Sequence, residues 1–184
     1  MCFMTAMIKT ALVLCSLLAS LSVLGGERLA QIPLGTGCDS IPGAELRLGS
    51  VALTGQDADG ISRYRGMHGG REAEIVYHCA GGSLAEQTVV VTTGSRDEAI
   101  LFAQSQKIAL SNRLGEPVHD GFNLPTWRRL LFGFLGADLD YLMSVVVWGR
   151  ATEDVILQVS EAGADRWQVS ISQGGSKLEY IINS

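Results

Sequence analysis

Compact catalytic signatures are missing from this sequence, and cysteine and cations are in short supply. There is no G-x-S-x-G, no C-x-x-C and no H-E-x-x-H, so no nucleophile elbow, dithiol redox centre or two-histidine zinc helix is encoded locally. A phosphate loop is also absent. Gly35-Thr36-Gly37 begins like a dinucleotide fingerprint, but Ser40 stands where the last glycine belongs and no strand precedes it. Asp57-Ala58-Asp59-Gly60 carries a fragment of a calcium loop. Gly55 and Gly66 occupy positions where an EF-hand needs acids, so the fragment reads as a polar turn. Lysine and arginine total 14 against 19 acids, a net charge of -5. That balance gives no electrostatic reason to bind nucleic acid or an anionic membrane surface. Net charge does not speak to local basic patches.

Only one long apolar run exists, Ala11 to Leu24. Lys9 precedes it, Gly25 and Gly26 follow, and the first acid is Glu27. A cation, an apolar stretch and small residues make a cleavable secretory leader over residues 1–26. The run is shorter than the roughly 20 residues a spanning helix needs, so no stable membrane span is expected after processing. Leu14 is too large to precede a lipidated Cys15. The mature chain, 27–184, is expected to be a single domain outside the cytoplasm, periplasmic or extracellular. A chain of that length can bury about two-thirds of its unfolded surface.

Of the four cysteines, Cys2 and Cys15 leave with the leader, and Cys38 and Cys79 remain. In an oxidising compartment two such residues pair. Closing a loop of roughly 40 residues stabilises by on the order of 4 kcal/mol in the chain-entropy model. A metal site is the weaker reading, because His78 and Cys79 are strand neighbours that point to opposite faces.

Past a short polar lead-in, Cys38–Ser50 reads as turn chemistry with one helical turn opened by Ser40. Two strand-like runs then flank Gly69-Gly70, a two-residue hairpin signal. That turn sets Arg65 opposite Glu74, Tyr64 opposite Ile75 and Ile61 opposite His78. Tyr64, Ala73, Ile75, Tyr77 and Cys79 fall on one face. Arg63, Arg65, Glu72, Glu74 and His78 fall on the other, with a cross-strand ion pair on the wet side. A third run, Leu84–Thr93, follows Gly81-Gly82, with no register assigned.

The period then changes from two to 3.6. Ser95 and Glu98 form a capping box for a long helix that buries Ala99, Phe102, Ala103, Leu110 and Leu114 and stops at Gly115. A second, shorter helix is expected from Pro125 to Leu135, with Trp127, Leu130, Leu131 and Phe134 along one side. Strands return at Tyr141–Trp148, at Val155–Val159 and at Trp167–Ile171. A turn around Gly163 pairs Val159 with Trp167 and Val155 with Ile171. A further turn at Gly174-Gly175 pairs Ile171 with Leu178, Val169 with Tyr180 and Trp167 with Ile182. The order β-β-β-α-α-β-β-β-β implies an α+β domain, an antiparallel sheet of hairpin-connected strands with the long and the short helix packed on one face. The halves share a loose pattern without a residue-level repeat.

No catalytic, metal or cofactor site is assigned. The three histidines, His68, His78 and His119, read as scattered surface residues. The best catalytic arrangement would gather His119-Asp120 with Asp138, Asp140 or Glu153-Asp154, and solvated loop acids are the simpler reading. The short helix is the most suggestive feature. Trp127, Arg128, Leu131 and Phe134 are the candidate binding residues. Burial against the sheet is the favoured role for this helix, ahead of partner contact and then of membrane contact, which the acidic surroundings oppose. The expectation is thus a non-catalytic exported domain that binds another envelope protein or a small ligand. The alternative is a small hydrolase-type enzyme using loop carboxylates with His119.

Overall fold

A computed structural model of the chain describes residues 28–54, 57, 59–149 and 153–175. The chain begins with two short helices, α1 (Arg28–Gln31) and α2 (Ile41–Arg47), the second entered through a 3₁₀ turn at Cys38–Ser40. Four strands follow: β1 (Val51–Thr54), β2 (Ile61–His68), β3 (Arg71–Ala80) and β4 (Ser83–Thr93). The long helix α3 (Arg96–Leu114) comes next, then the two-residue strand β5 (His119–Asp120) and a 3₁₀ turn at Gly121–Asn123. Helices α4 (Thr126–Phe134) and α5 (Leu139–Ser144) lead into β6 (Val145–Gly149), β7 (Asp154–Glu161) and β8 (Trp167–Gly174). All eight strands form one antiparallel sheet in the order β1-β2-β3-β4-β8-β7-β6-β5. The order is palindromic. Each half is a four-strand run, and the last strand of one half pairs with the last of the other. The class is α+β.

Local chemistry explains the first half. Gly69 and Gly70 both take positive φ, 56° and 77°, as a two-residue turn matched to strand twist requires. The resulting register pairs Arg65 with Glu74, Tyr64 with Ile75 and Ile61 with His78, as expected. A Cβ at Gly69 would lie 2.9 Å from Phe102 Cε2, so the hairpin tip is held against α3. On the wet face the ion pairs run diagonally, Arg63–Glu74 at 2.7 Å and Arg65–Glu72 at 3.4 Å. In α3, Ser95 Oγ accepts the Glu98 N–H at 3.2 Å, while Glu98 reaches back to the N–H of Gly94, one residue earlier than a strict capping box. Phe102, Ala103, Gln106 and Leu110 line the buried side of α3 over one face of the sheet.

Several expectations are corrected. Four strands precede α3; β1 carries no alternation to betray it, since all four of its residues are exposed. The helical turn near Ser40 is a full helix, and the Ser40 hydroxyl donates back to the Gly37 carbonyl at 2.7 Å. Tyr141–Ser144 is helical, because the Asp138 carboxylate accepts the Tyr141 N–H at 3.0 Å and starts α5. Between β7 and β8 the register lies two residues from the expected one: Val159 pairs with Val169 and Leu157 with Ile171. The connection spans 162–166, closed by Ala162 N–H on the Arg166 carbonyl. A slip of two keeps every side chain on its face. The other edge of β8 belongs to β4, which pairs Val89 with Ile171, Val91 with Val169 and Thr93 with Trp167. Leu178, Tyr180 and Ile182, expected at that edge, lie outside the described residues. The short helix α4 is not seated on the sheet.

The polar lead-in proves to be core. Arg28 and Glu45 are 5% and 0% exposed and pair at 2.5 Å. Glu45 also accepts the Tyr77 hydroxyl at 2.5 Å. Arg28 donates further to Ser50 Oγ and to the Met67 carbonyl. Gly66 makes the space, since a Cβ there would lie 2.7 Å from Arg28 Nη1. Burial, followed by the hydrogen bond to Glu45, pushes the Tyr77 phenol far above its ordinary range, so it stays a donor. Leu29 and Ile32 are buried beside this cluster, and Gln87 Nε2 donates to the Leu29 carbonyl at 2.7 Å. Close by, Cys38 and Cys79 form the expected disulfide, with Cα atoms 6.3 Å apart and a sequence separation of 41.

Removing one member of a buried ion pair strands the other charge. Arg28→Ala should therefore destabilise by about 3–5 kcal/mol in urea titration. Arg63→Ala, which breaks an exposed pair, should change stability by less than about 1 kcal/mol. Equal effects would mean that the buried pair is not the structural centre described above.

Candidate functional site

Helix α4 is built as the sequence implies but faces the other way. Pro125 precedes it with φ -60° and its carbonyl accepts the N–H groups of Arg128 and Arg129. Gly136, at φ 75°, ends it. Trp127, Leu130, Leu131 and Phe134 share one side at i, i+3, i+4 and i+7, and Leu135 extends the stripe. These residues are exposed, from 47% at Leu131 to 89% at Phe134, with Trp127 at 61%. No residue of α4 is buried. The expectation that Trp127 and its stripe lie against the protein body is therefore overturned.

The inner side of α4 is made by other residues. Arg129 Nε donates to the Leu124 carbonyl at 2.9 Å. A Cβ at Gly133 would lie 3.3 Å from Leu139 Cδ1, so glycine lets α4 sit close to α5. The physical reason for the inversion lies next to it in sequence. Leu124 and Leu142, which bracket α4, are buried, and the 3₁₀ turn at Gly121–Asn123 packs on β6 and α5. Val145 and Val147 of β6 are already covered, which leaves no apolar sheet surface there for α4. Arg128 stays with the outward side, its guanidinium 5.2 Å from the Trp127 ring centroid.

A cleft of about 650 Å³ opens between the first half of α3 and α5. Arg96, Ile100 and Gln104 line it from α3 at a spacing of four, a single helical stripe. Asp140 and Tyr141 face it from α5, and Glu161 and Trp167 from the ends of β7 and β8. Arg96 stands over the Trp167 ring at 5.5 Å. The volume and the mixture of aromatic, apolar and charged groups suit a small organic ligand. Sequence reasoning missed this cleft. The Ser95 cap does fix Arg96 at the start of α3, but nothing local says that Trp167 and Tyr141 meet it there. A smaller cavity of about 320 Å³ lies under α2, beside the disulfide and Tyr64.

The groups of the hydrolase alternative do not gather. His119 Nε2 bonds the Leu142 carbonyl at 2.9 Å. Asp120 bonds Lys107 at 2.5 Å and Asn123 at 3.0 Å. Burial works to raise the Asp120 carboxyl, but the bonds from Lys107 and Asn123 outweigh it and hold the group below its ordinary value. Asp138 caps α5, Asp140 lines the cleft, and Glu153 accepts from Gln173 Nε2 at 2.9 Å. Among the described residues no hydrogen bond joins His119 to a carboxylate, and no cluster of three His, Cys, Asp or Glu side chains has metal-binding geometry. His78 is exposed, as expected. His68 is not: it is buried between β2 and α3, with Nε2 on Gln106 Oε1 at 2.9 Å and its ring edge-on to Phe102.

Comparison of the chain with protein-family models, with curated proteins and with solved structures gives no match.

Burial, aided by the Arg28 charge and opposed by the Gln106 bond, lowers the affinity of His68 for a proton below its ordinary value near 6.5. The unfolded chain then binds more protons, so the stability contributed by neutral His68 is present above about pH 6.5 and is lost as pH falls. Urea midpoints should drop on acidification through that window, with a limiting slope of about 1.4 kcal/mol per pH unit. His68→Gln should remove this component. An unchanged slope in the variant would assign the loss to other groups.

Proposed function

We propose that this chain is an exported, non-catalytic interaction domain and that the outward stripe of α4 is its docking surface. One observation carries the reading: four large apolar side chains, continued by Leu135 just past the end, share one side of a helix that buries none of its residues. Contiguous exposed apolar surface of this kind marks an interaction site far more often than a lone exposed leucine does. The spacing i, i+3, i+4, i+7 is that of helices recognised along one face. Export is supported by the apolar run before Gly25-Gly26 and by the Cys38–Cys79 disulfide. No helix among the described residues is long and apolar enough to cross a membrane.

A second reading, a small-ligand site, is favoured by the cleft in which Arg96 and Trp167 face Tyr141. It is compatible with the first, because α5 forms one wall of that cleft and supports α4. The hydrolase alternative has less behind it, since His119 and each of the acids named for that role whose bonds are described have other partners.

Leu131→Asp distinguishes docking surface from core. On an exposed stripe the substitution should shift stability by no more than about 0.5 kcal/mol. Leu142→Asp, which places a charge in a buried site, should prevent folding or cost several kcal/mol. Thermal melts of the two variants beside the parent make the comparison. A melting temperature for Leu131→Asp as low as that of Leu142→Asp would return α4 to the core and sink the proposal.

A further inference from the structure

We infer that the partner of α4 is the interface of an anionic phospholipid bilayer, into which the helix lies in plane. The inference rests on the reading of α4 as a docking surface and names what covers it. Trp127, Leu130, Leu131, Phe134 and Leu135 form a continuous outward arc on a nine-residue helix. Apart from the indole N–H, that arc offers no side-chain hydrogen-bonding group. Protein interfaces carry about one hydrogen bond per 100–200 Å², whereas a hydrocarbon boundary asks for none. Tryptophan, phenylalanine and leucine on one side, with arginine at the border, is the composition of helices that lie in the bilayer interface.

Charge complementarity selects the kind of surface. Arg128 and Arg129 are the only charged residues from Gly121 to Ala137; Arg129 turns inward to the Leu124 carbonyl, and Arg128 is the charge on the outward side. Acids close in sequence have other partners or line the cleft. Asp120 is engaged by Lys107 and Asn123, Asp138 caps α5, and Asp140 lines the cleft. Arg128 reaches past the Trp127 ring at the edge of the arc, where a guanidinium can stay at the level of lipid phosphates while its neighbours are buried. A second copy of the chain fits less well. Two such stripes face to face would leave Arg128 of each copy at the seam, with no acid on either stripe to answer it.

The test uses the processed chain, its N-terminus verified by mass, with vesicles of phosphatidylcholine alone or mixed with phosphatidylglycerol. Sedimentation should show partition into the mixed vesicles about fivefold stronger than into phosphatidylcholine, as one arginine near an anionic surface implies. High salt should weaken it. Brominated lipids should quench the fluorescence of the parent but leave that of Trp127→Phe unchanged. Leu131→Asp and Phe134→Asp should abolish partition at an unchanged melting temperature. Failure to bind either vesicle, with both variants folded, overturns the lipid assignment and leaves the docking surface standing. Equal binding to both vesicles overturns the anionic part. A dimer in the parent that Leu131→Asp dissociates, or a protein crosslinked through α4 without vesicle binding, overturns it in favour of that partner. Loss of folding in both variants overturns the docking reading itself.

Discussion

The buried pair of Arg28 and Glu45 is the contact around which the first half of the sheet is arranged. Two opposite charges out of water, 2.5 Å apart, need further hydrogen bonds to offset the hydration they lose. Tyr77 from β3, Ser50 just before β1 and the Met67 carbonyl of β2 provide such bonds, while Arg28 Nε has no partner among the described residues. The pair therefore fixes α1, α2 and three strands with respect to one another. It also dictates a glycine, because any side chain at Gly66 would enter the guanidinium's space. The Cys38–Cys79 disulfide acts on the same region from outside the cluster, tying the entry of α2 to the end of β3. The disulfide restricts the unfolded chain, while the ion pair acts in the folded one.

What was legible in the chain followed from local chemistry. Gly69-Gly70 sets the β2–β3 register because both glycines take the positive φ of the turn. Ser95, Glu98 and Gly115 set the limits of α3 because caps are local. Where a connection is longer, the pattern determines the face but not the partner. The five residues from Ala162 to Arg166 admit two registers that differ by two, and both bury Val159, Val169 and Ile171. Strand β1 is exposed throughout and so leaves no periodic signal. The role of Arg28 was invisible for a related reason. Its partners lie 17 and 22 residues away for Glu45 and Ser50 and 39 for Met67, and no spacing rule connects them.

Helix α4 shows a different limit. A stripe at i, i+3, i+4, i+7 has the same sequence whether it faces a core or the solvent. The orientation is decided by what the sheet leaves open. At this end Leu124 and Leu142 fill the space next to β6, so α4 is placed outside them, with Arg129 and Gly133 inward. The cleft was hidden for a converse reason. Arg96, Tyr141 and Trp167 belong to three elements, and only the folded sheet brings them together.

The palindromic sheet suggests why both candidate surfaces fall in one segment. In the first half the link from β1 to β2 runs only from 55 to 60, and within it the Asp57 carboxylate accepts the N–H groups of Asp59 and Ile61. In the second half the corresponding link, from β5 to β6, carries residues 121–144 with α4 and α5. The sheet would pair β5 with β6 through His119–Val147 and Asp120–Val146 whatever the length of that excursion. Because the excursion is not required to close the ladder, its outward side is free to be apolar without exposing the core. Its inner anchors, Leu124 and Leu142, do serve the core. A rigid sheet with one elaborated connection is the common way in which a scaffold acquires a binding surface. Here that logic puts the helix with the exposed apolar stripe, and one wall of the cleft, on the same excursion.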